Sequence, residues 1–216
     1  MKKALFTLVC LSLVFISCND NTKEKMVTED TTVVADTTAT EEPEMIEEPM
    51  DSIAMQKAWE AYMTPGEPHK MMAEEVGKWN NEMTFWMGPE EEKATSTADI
   101  KMIMGGRYQV GNYSGKMMGM DFEGQSTLAY DNATDEYIST WIDNMGTGLG
   151  VLRGTYDEAT KATTLNGTMV DPMTGKDKQV REVYTIVDEN TRRMEMYEIG
   201  ADGKEVKTME ILMKRA

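Results

Sequence analysis

The sequence predicts an all-β domain, an antiparallel up-and-down β-barrel of about ten strands preceded by short helices. Three observations predict it. After residue 77 the hydrophobic period changes from helical to alternating. Short alternating segments then follow one another, separated by turn signals rich in Gly, Asn, Asp and Pro. No helical pattern interrupts these segments, so βαβ units are not expected and neighbouring strands should be antiparallel.

Residues 1–17 have the pattern of a signal peptide for export. Lys2 and Lys3 precede an apolar run that is too short to span a bilayer. The small residue Ser17 stands directly before Cys18, as in bacterial lipoprotein signals, where the peptidase cuts before the cysteine and the thiol carries diacylglycerol. The sequence therefore predicts lipidation of Cys18 and anchoring in the bacterial cell envelope, at the periplasmic face or the outer membrane. The alternative is an ordinary secretory signal with an incidental Cys18.

Residues 18–51 are predicted to be a disordered acidic tether. The segment is rich in Thr, Glu and Pro, and residues 19–51 hold eleven acids against two lysines, a net charge of −9. Such a chain repels itself and cannot bury a core. Cys10 would leave with the signal and Cys18 would be acylated, so the mature domain would have no free thiol. Disulfides, cysteine nucleophiles and cysteine–metal sites are thereby excluded.

Residues 52–216 are predicted to form the barrel domain, and about 165 residues is an ordinary size for one domain. They account for −9 of the net charge of −16 of the whole chain. This acidic balance argues against nucleic acid as a partner, because neutralising phosphates needs a basic surface. The oligomeric state is not indicated by the sequence.

Two short helices are predicted before the barrel. Asp51 or Ser52 can cap the first helix, which has an apolar stripe at 3–4 spacing formed by Met55, Ala58, Trp59 and Tyr62. Thr64-Pro65-Gly66 ends it. In the second helix Pro68 stands in the first turn, where proline is tolerated, and Gly77 is a natural stop.

The predicted strands cover residues 78–87, 93–104, 107–115, 121–131, 136–144, 149–157, 162–170, 178–188, 192–200 and 205–215. Closing them into a barrel would leave no exposed sheet edge. The alternation in the last two segments is not cleanly apolar against polar, since Met194, Met196 and Glu198 share one face. The sequence therefore leaves the register of these strands open.

Gly77-Lys78-Trp79 follows the predicted helices and begins the first strand. In this position the motif resembles the Gly-x-Trp of calycin-type barrels, the lipocalins and their relatives. The resemblance implies that Trp79 plugs one end of the barrel and that an arginine from a late strand lies across it. Arg215, at the end of the last predicted strand, is the candidate for that arginine.

A second resemblance covers nearly all of residues 62–215. The segments "MTPGEPHKMMAEEVGKW", "GGRYQVGNYSG", "FEGQSTLAYDNATDEYISTWIDNMGTG" and "GTYDEATKATTLNG" are similar to the bacterial domain-of-unknown-function 1579 family. This resemblance implies a β-barrel-like domain in exported bacterial proteins. It implies no agreed reaction or ligand.

A ligand site inside the barrel is the leading hypothesis, with Trp86, Arg107, Tyr130 and Trp141 as candidate lining residues. Alternation places Tyr137, Trp141 and Asp143 on one strand face. Inside the barrel this face would be an amphipathic ligand wall, and outside it would be aromatic–polar surface pairing. Arg107 and Arg153 are expected to be internal, where each would need a carboxylate from the protein or a ligand.

His69 is the only histidine and is also a candidate ligand-binding residue. As a general base it would need an orienting carboxylate, for which Glu67 and Glu74 are near in sequence. As a metal ligand it would need acidic partners. The alternative is a structural residue at the corner between helix and barrel. Haem is not favoured, because nitrobindin-like barrels hold it through a histidine of a late strand and the C-terminal half has none.

Methionine is unusually frequent, at 22 of 216 residues. Thioethers can bind Cu(I), but methionine is also an adaptable core filler in place of leucine. No nucleophile elbow, phosphate loop, zinc-protease motif or dinucleotide fingerprint occurs, so the cofactor is left unassigned. The leading interpretation is a membrane-anchored exported barrel that binds a small amphipathic or apolar molecule. The alternatives are an enzyme with its site at the barrel mouth around His69, or a non-catalytic cell-envelope interaction domain with a filled core.

Overall fold

The computed structural model describes residues 51–86, 88 and 90–216. These residues belong to one compact unit. The predicted signal peptide, Cys18 and nearly all of the predicted tether lie outside the described residues. Lipidation, anchoring and the tether therefore stay predictions.

Two helices precede the barrel, α1 (Ser52–Met63) and α2 (Glu67–Glu74). The Asp51 side chain caps α1 by accepting hydrogen bonds from the backbone N–H groups of Ile53 and Ala54, both at 2.8 Å. No residue of α1 is buried, so its predicted apolar stripe does not pack into the core. Among residues 51–216, as far as they are described, no helix is long and apolar enough to cross a membrane.

Ten strands follow the helices and confirm the predicted fold class. They are β1 (Gly77–Phe85), β2 (Glu92–Ile103), β3 (Tyr108–Met117), β4 (Met120–Asp131), β5 (Glu136–Asp143), β6 (Gly150–Asp157), β7 (Ala162–Val170), β8 (Asp177–Asp188), β9 (Thr191–Ile199) and β10 (Glu205–Arg215). Each strand pairs with the next, and β1 pairs antiparallel with β10, so the sheet closes on itself. Closure satisfies the backbone groups of every strand and leaves no free edge.

The first strand sets the alternation between the inner and outer faces. Trp79, Asn81, Met83 and Phe85 are buried and point inward, while the residues between them point outward. The register carries this parity around the barrel to β9, whose inward residues are Arg192, Met194, Met196 and Glu198. The pairing shifts between Ile186 and Asp188 and between Lys207 and Met209, and such irregularities keep simple alternation from predicting the late strands.

The two ends of the barrel differ. Helix α2 covers the end where β1 begins and β10 ends, which we call the closed end. There His69 and Met72 are buried, and the Gln109 side-chain amide donates a hydrogen bond of 2.7 Å to the Met72 carbonyl. The opposite end, where Phe85, Asp143 and Lys178 lie near the strand termini, is called the open end.

Turns at the closed end hold the last turn of α1 through its backbone. The Asn132 side-chain amide donates to the carbonyls of Ala61, Tyr62 and Thr64 at 3.2, 3.1 and 2.9 Å. Arg107 donates to the Met63 carbonyl at 2.8 Å. Both contacts satisfy carbonyls that a helix end leaves without intrahelical partners.

Candidate functional site

Trp79 plugs the closed end and is 0 % exposed. Its indole N–H donates to the Glu75 carbonyl at 2.9 Å. The predicted arginine is present: the Arg215 guanidinium lies 4.4 Å from the ring centroid. Gly77 has φ +135°, and a Cβ there would lie 3.1 Å from Arg215 Nη1. The glycine of the motif is therefore required both by the backbone and by the approach of Arg215.

A buried ion pair beside Trp79 was not predicted from the sequence. Arg192 Nε donates to Glu75 Oε1 at 2.6 Å, and the Tyr184 hydroxyl donates to Glu75 Oε2 at 2.8 Å. The Arg192 guanidinium also lies 5.3 Å from the Trp79 ring centroid. Burial and the Glu75 charge raise the pKa of Tyr184 well above its usual value, so the hydroxyl stays a donor. Alternation along β9 places Arg192 on the same strand face as Met194, and this pattern could have indicated that Arg192 points inward.

His69 lies at the corner between the helices and the barrel. Its Nδ1 accepts a hydrogen bond from the Gly66 backbone N–H at 3.1 Å, and its ring packs edge-on against Tyr130 with centroids 5.9 Å apart. Burial and the nearby Arg107 charge lower the pKa of His69, so the neutral ring is favoured. Glu67 instead pairs with Lys70 at 2.7 Å on the surface. This geometry corresponds to the structural alternative for His69.

An aromatic cluster, defined here as Tyr113, Phe122 and Trp141, lies on the inner face of β3–β5. The Tyr113 and Trp141 ring centroids are 5.1 Å apart at an edge-on angle, and Phe122 stacks on Trp141 at 6.3 Å. Trp141 Nε1 donates to Asp143 Oδ2 at 2.7 Å. Gly124 makes room for the indole, since a Cβ there would lie 2.6 Å from the ring. The Tyr–Trp–Asp face of β5 is therefore inside the barrel.

Glu182 faces the same interior from β8, where it pairs with Leu165 and Met196. Burial raises the pKa of its carboxyl to about 7, and burial is the whole cause of this shift. Sequence reasoning missed Glu182. The signal was an acid on the same strand face as Val180 and Tyr184, where apolar and aromatic residues flank it.

Inward side chains in the middle of the barrel are not fully buried. Glu182, Tyr113 and Trp141 all point inward, and each nevertheless keeps part of its accessible surface. At the closed end, by contrast, Trp79 has none. Inward side chains that are surrounded by protein and still keep free surface border an interior space.

The wall opposite the aromatic cluster is apolar. It is formed by inward residues of β9 and β10, namely Met194, Met196, Met209 and Ile211. These residues are also partly accessible. Methionine thus lines the interior on this side, while Met104 and Met118 lie exposed in turns. Within residues 51–216, as described, no group of three His, Cys, Asp or Glu side chains could hold a metal ion.

Three residues expected inside the barrel lie outside it, so these predictions are wrong. Arg107 is exposed in the turn between β2 and β3. It directly follows Gly105 and Gly106, which both have positive φ. Arg153 is exposed on the outer face of β6, because its neighbours Leu152 and Gly154 are the inward residues. Tyr130 faces inward, as expected, and packs against Tyr137 at 4.9 Å, while its role in ligand binding stays a prediction.

Trp86 is the third misplaced residue. It follows the inward Phe85 and therefore points outward at the open end, where Lys207 Nζ lies 5.1 Å from its ring centroid. Lys207 in turn pairs with Glu195 and Glu210 on the outer surface, at 2.9 and 2.8 Å. Trp86 therefore belongs to a surface cluster and not to the interior.

Acidic groups dominate the inner rim of the open end. Lys178 lies 3.0 Å from Glu198 and 3.5 Å from Asp171. Asp143 lies at the same end of β5 and accepts from the backbone N–H of Met145 at 2.9 Å. One lysine therefore faces three carboxylates around the entrance to the interior space.

Two depressions on the outside of β1–β3 are also present. They are lined by short outward side chains such as Asn80, Thr97 and Ser114. Both are open to solvent and lack the enclosed apolar wall that small-molecule sites have. The interior space is therefore the candidate site.

The buried carboxyl predicts an unusual pH dependence of stability. Its pKa is about 7 in the folded state against an ordinary 4.5, so folding becomes less favourable as pH rises from about 4.5 through 7. Glu182→Gln cannot ionise. We expect the variant to be about 3 kcal/mol more stable than the natural protein at pH 8 and to match it near pH 4.5.

Urea denaturation from pH 4.5 to pH 8 measures this difference. Glu123→Gln is the matched control, because Glu123 is exposed on the outer face of β4. Its profile should run parallel to that of the natural protein. A Glu182→Gln profile that is also parallel would contradict the burial of an ionisable carboxyl in the barrel.

Comparisons with known proteins agree with the barrel. A sequence model of the family described as "Protein of unknown function (DUF1579)" matches residues 64–215. The S-type phycobiliprotein lyase CPES from Guillardia theta is similar in structure, with a TM-score of 0.51 and 12 % identity over 70 % of this chain and 93 % of that chain. A redesigned β-barrel is also similar, with a TM-score of 0.35 and 12 % identity over 67 % and 94 % of the two chains.

A third similar structure is a protein of unknown function of the DUF3598 family from Nostoc punctiforme, with a TM-score of 0.20 and 5 % identity over 70 % of this chain and 100 % of that chain. No curated protein matches the chain. At these identities the similarity to the lyase shows the fold alone, and the lower scores of the other two structures add no argument.

Proposed function

Since the chain belongs to the DUF1579 family of proteins of unknown function, whose name specifies no activity, we propose from its geometry that it binds a small amphipathic molecule inside the barrel. One observation supports this proposal above the others. Side chains in the middle of the barrel are enclosed by protein and keep free surface, whereas Trp79 at the closed end has none. An interior space of this kind, with one end plugged, favours a ligand that enters from the open end.

The two inner walls define the kind of molecule. The methionine-rich wall of β9 and β10 suits a flexible apolar chain, because thioether side chains adapt to irregular shapes. The aromatic cluster offers ring faces on the opposite side, and Glu182, the cross-strand neighbour of Met196, offers a polar group. An amphipathic ligand satisfies both walls at once.

We propose further that the domain is anchored in the bacterial cell envelope through a lipid on Cys18. The support is the charged and apolar leader, which ends in a small residue directly before the cysteine. The barrel would then bind its ligand at the membrane surface. A Cys18→Ser chain should leave the membrane fraction when its host cells are fractionated, and retention in that fraction would contradict the anchor.

Filling the interior tests the proposed binding. Ser126 points inward next to the aromatic cluster, pairing with Gly111 and Trp141, so Ser126→Phe should occupy the interior space. Gln125 is the adjacent residue and points outward, which makes Gln125→Phe the matched control. We expect Ser126→Phe to weaken binding of the uncharged fluorescent probe N-phenyl-1-naphthylamine at least tenfold, and Gln125→Phe to leave it unchanged.

Fluorescence titration of the purified protein measures the probe affinity, and circular dichroism confirms that both variants fold. Equal affinities of all three proteins would place the probe outside the barrel and contradict the proposal. Absence of probe binding to the natural protein would favour a filled structural barrel instead. Neither outcome depends on His69, whose hydrogen bond to Gly66 favours no catalytic role.

A further inference from the structure

Glu182 is an inward carboxylate without a protein partner among the described residues. Four other acids of the interior and its rim have partners: Glu75 pairs with Arg192, Glu198 and Asp171 pair with Lys178, and Asp143 accepts from the Trp141 indole. Burial raises the pKa of the Glu182 carboxyl. A buried carboxylate that ionises near neutral pH without a partner is costly unless a donor comes from elsewhere.

The surroundings of Glu182 favour a positively charged donor. The register points both Glu182 and Tyr113 into the barrel, and burial, together with the Glu182 charge, raises the pKa of the Tyr113 hydroxyl. Tyr113 and Trp141 lie 5.1 Å apart, edge to face, in the aromatic cluster. The faces of tyrosine and tryptophan rings attract cations, most strongly where water is excluded.

The route from the open end to Glu182 is lined mainly by negatively charged groups. Lys178 is four residues from Glu182 on the inner face of β8, about 13 Å along the strand, and it is already paired with Glu198 and Asp171. Asp143 adds a further carboxylate at this rim, and the chain as a whole has a net charge of −16. An entrance lined by negative charge attracts cations and repels anions.

The positively charged groups inside the barrel already have partners within the protein. Arg192 is paired with Glu75 at the closed end, and Arg215 donates to the carbonyls of Val76 and Glu74 at 2.9 and 2.8 Å. An anionic head group would therefore meet Glu182 without a free cation nearby among the described residues. A fatty carboxylate is disfavoured on this ground.

We propose that the interior site takes a cationic amphiphile, an alkyl amine or guanidine, whose positive head group pairs with the Glu182 carboxylate beside Tyr113 and Trp141. Its apolar chain lies against the methionine-rich wall of β9 and β10. The inference rests on the proposed function, because it assigns the head group of a ligand bound in the same interior space. The inference goes beyond the proposed function because it specifies the sign of the head-group charge and the residue that recognises the head group.

Three compounds of one chain length test the head group: octylamine, octanol and octanoate. Calorimetric titration of the natural protein at pH 8, where Glu182 is ionised, should give at least tenfold tighter binding of octylamine than of octanol, and octanoate should bind most weakly. Glu182→Gln should bind octylamine and octanol equally. Glu123→Gln, altered on the outer face of β4, should keep the preference for the amine.

A pH series supplies a second measurement. Octylamine stays protonated from pH 6 to 8.5, whereas Glu182 loses its proton in this range. The affinity for octylamine should therefore rise with pH in the natural protein and stay flat in Glu182→Gln. A preference for the amine that survives in Glu182→Gln, or tighter binding of octanoate, would overturn the assignment of the head group.

The outcomes separate the two proposals. If all three compounds bind with similar affinity and Ser126→Phe weakens them alike, interior binding stands and the cationic head group is wrong. If none of the compounds binds and the naphthylamine probe does not bind either, the proposed function itself fails.

Discussion

Trp79→Ala should lower the free energy of unfolding by about 4 kcal/mol, as expected when a large buried aromatic is removed and leaves a cavity. Trp79 is fully buried and donates its indole N–H to the Glu75 carbonyl. Its ring also lies against both guanidinium groups of the closed end, those of Arg192 and Arg215. The substitution removes all of these contacts together, and the surrounding strands cannot close the gap without breaking the barrel register.

Trp59→Ala is the matched control for this substitution. Trp59 is 56 % exposed on α1 and contacts Tyr62 edge-on at 5.7 Å, so its loss should change the free energy of unfolding by less than about 0.5 kcal/mol. Urea denaturation of both variants at the same pH measures the difference. Equal effects of the two substitutions would show that Trp79 is not the plug of the barrel.

Arg192→Ala should cost about 3–5 kcal/mol, because it leaves the Glu75 carboxylate buried without its cation. The two side chains are almost inaccessible and joined at 2.6 Å. Tyr184 would remain as a donor to Glu75, but a phenol does not neutralise the charge. The cost therefore comes mainly from the unpaired carboxylate, with a smaller part from the lost contact with the Trp79 ring.

A double-mutant cycle isolates that interaction. Glu75→Gln in the Arg192→Ala background removes the stranded charge, so the double variant should lose less stability than the two single losses added together. Lys70→Ala breaks the exposed pair with Glu67 and should cost less than about 0.5 kcal/mol. Additive losses in the cycle would contradict a coupled buried pair.

These two effects belong to the closed end, whereas the proposed ligand site lies in the middle of the barrel. Trp79 and the Arg192–Glu75 pair are among the most buried groups of the described chain. Tyr113 and Ile211, which border the interior space, pack against the cluster that contains Trp79. Binding is therefore tested at Ser126 and Glu182 and not with the closed-end variants.

The barrel was predictable because its signals are local. Alternation has a period of two residues, and turn residues such as Asp171 and Pro172 mark where each strand ends. The Gly77-Lys78-Trp79 motif also placed one end of the barrel correctly, because it combines a glycine conformation, a plug and a late arginine in a fixed order.

The placement of the candidate lining residues was only partly predictable. Tyr130 and Trp141 lie inside as expected, but Trp86 and Arg107 do not. One residue of offset reverses the face of a strand residue, and an arginine in a turn follows the turn and not the strand. The pairing shift at Lys207 and Met209 changes parity once more within β10.

What the sequence determined by itself was the class of fold and the order of its strands, since each follows from neighbouring residues. The plug was implied by the resemblance of Gly77-Lys78-Trp79 to the motif of calycin-type barrels. Only the tertiary structure decided that Glu75 meets Arg192, 117 positions away, and that Glu182 points into the barrel without a partner among the described residues. The physical reason is closure: the register of ten strands selects which face of each lies inside, and contacts across a barrel join residues that no local pattern connects.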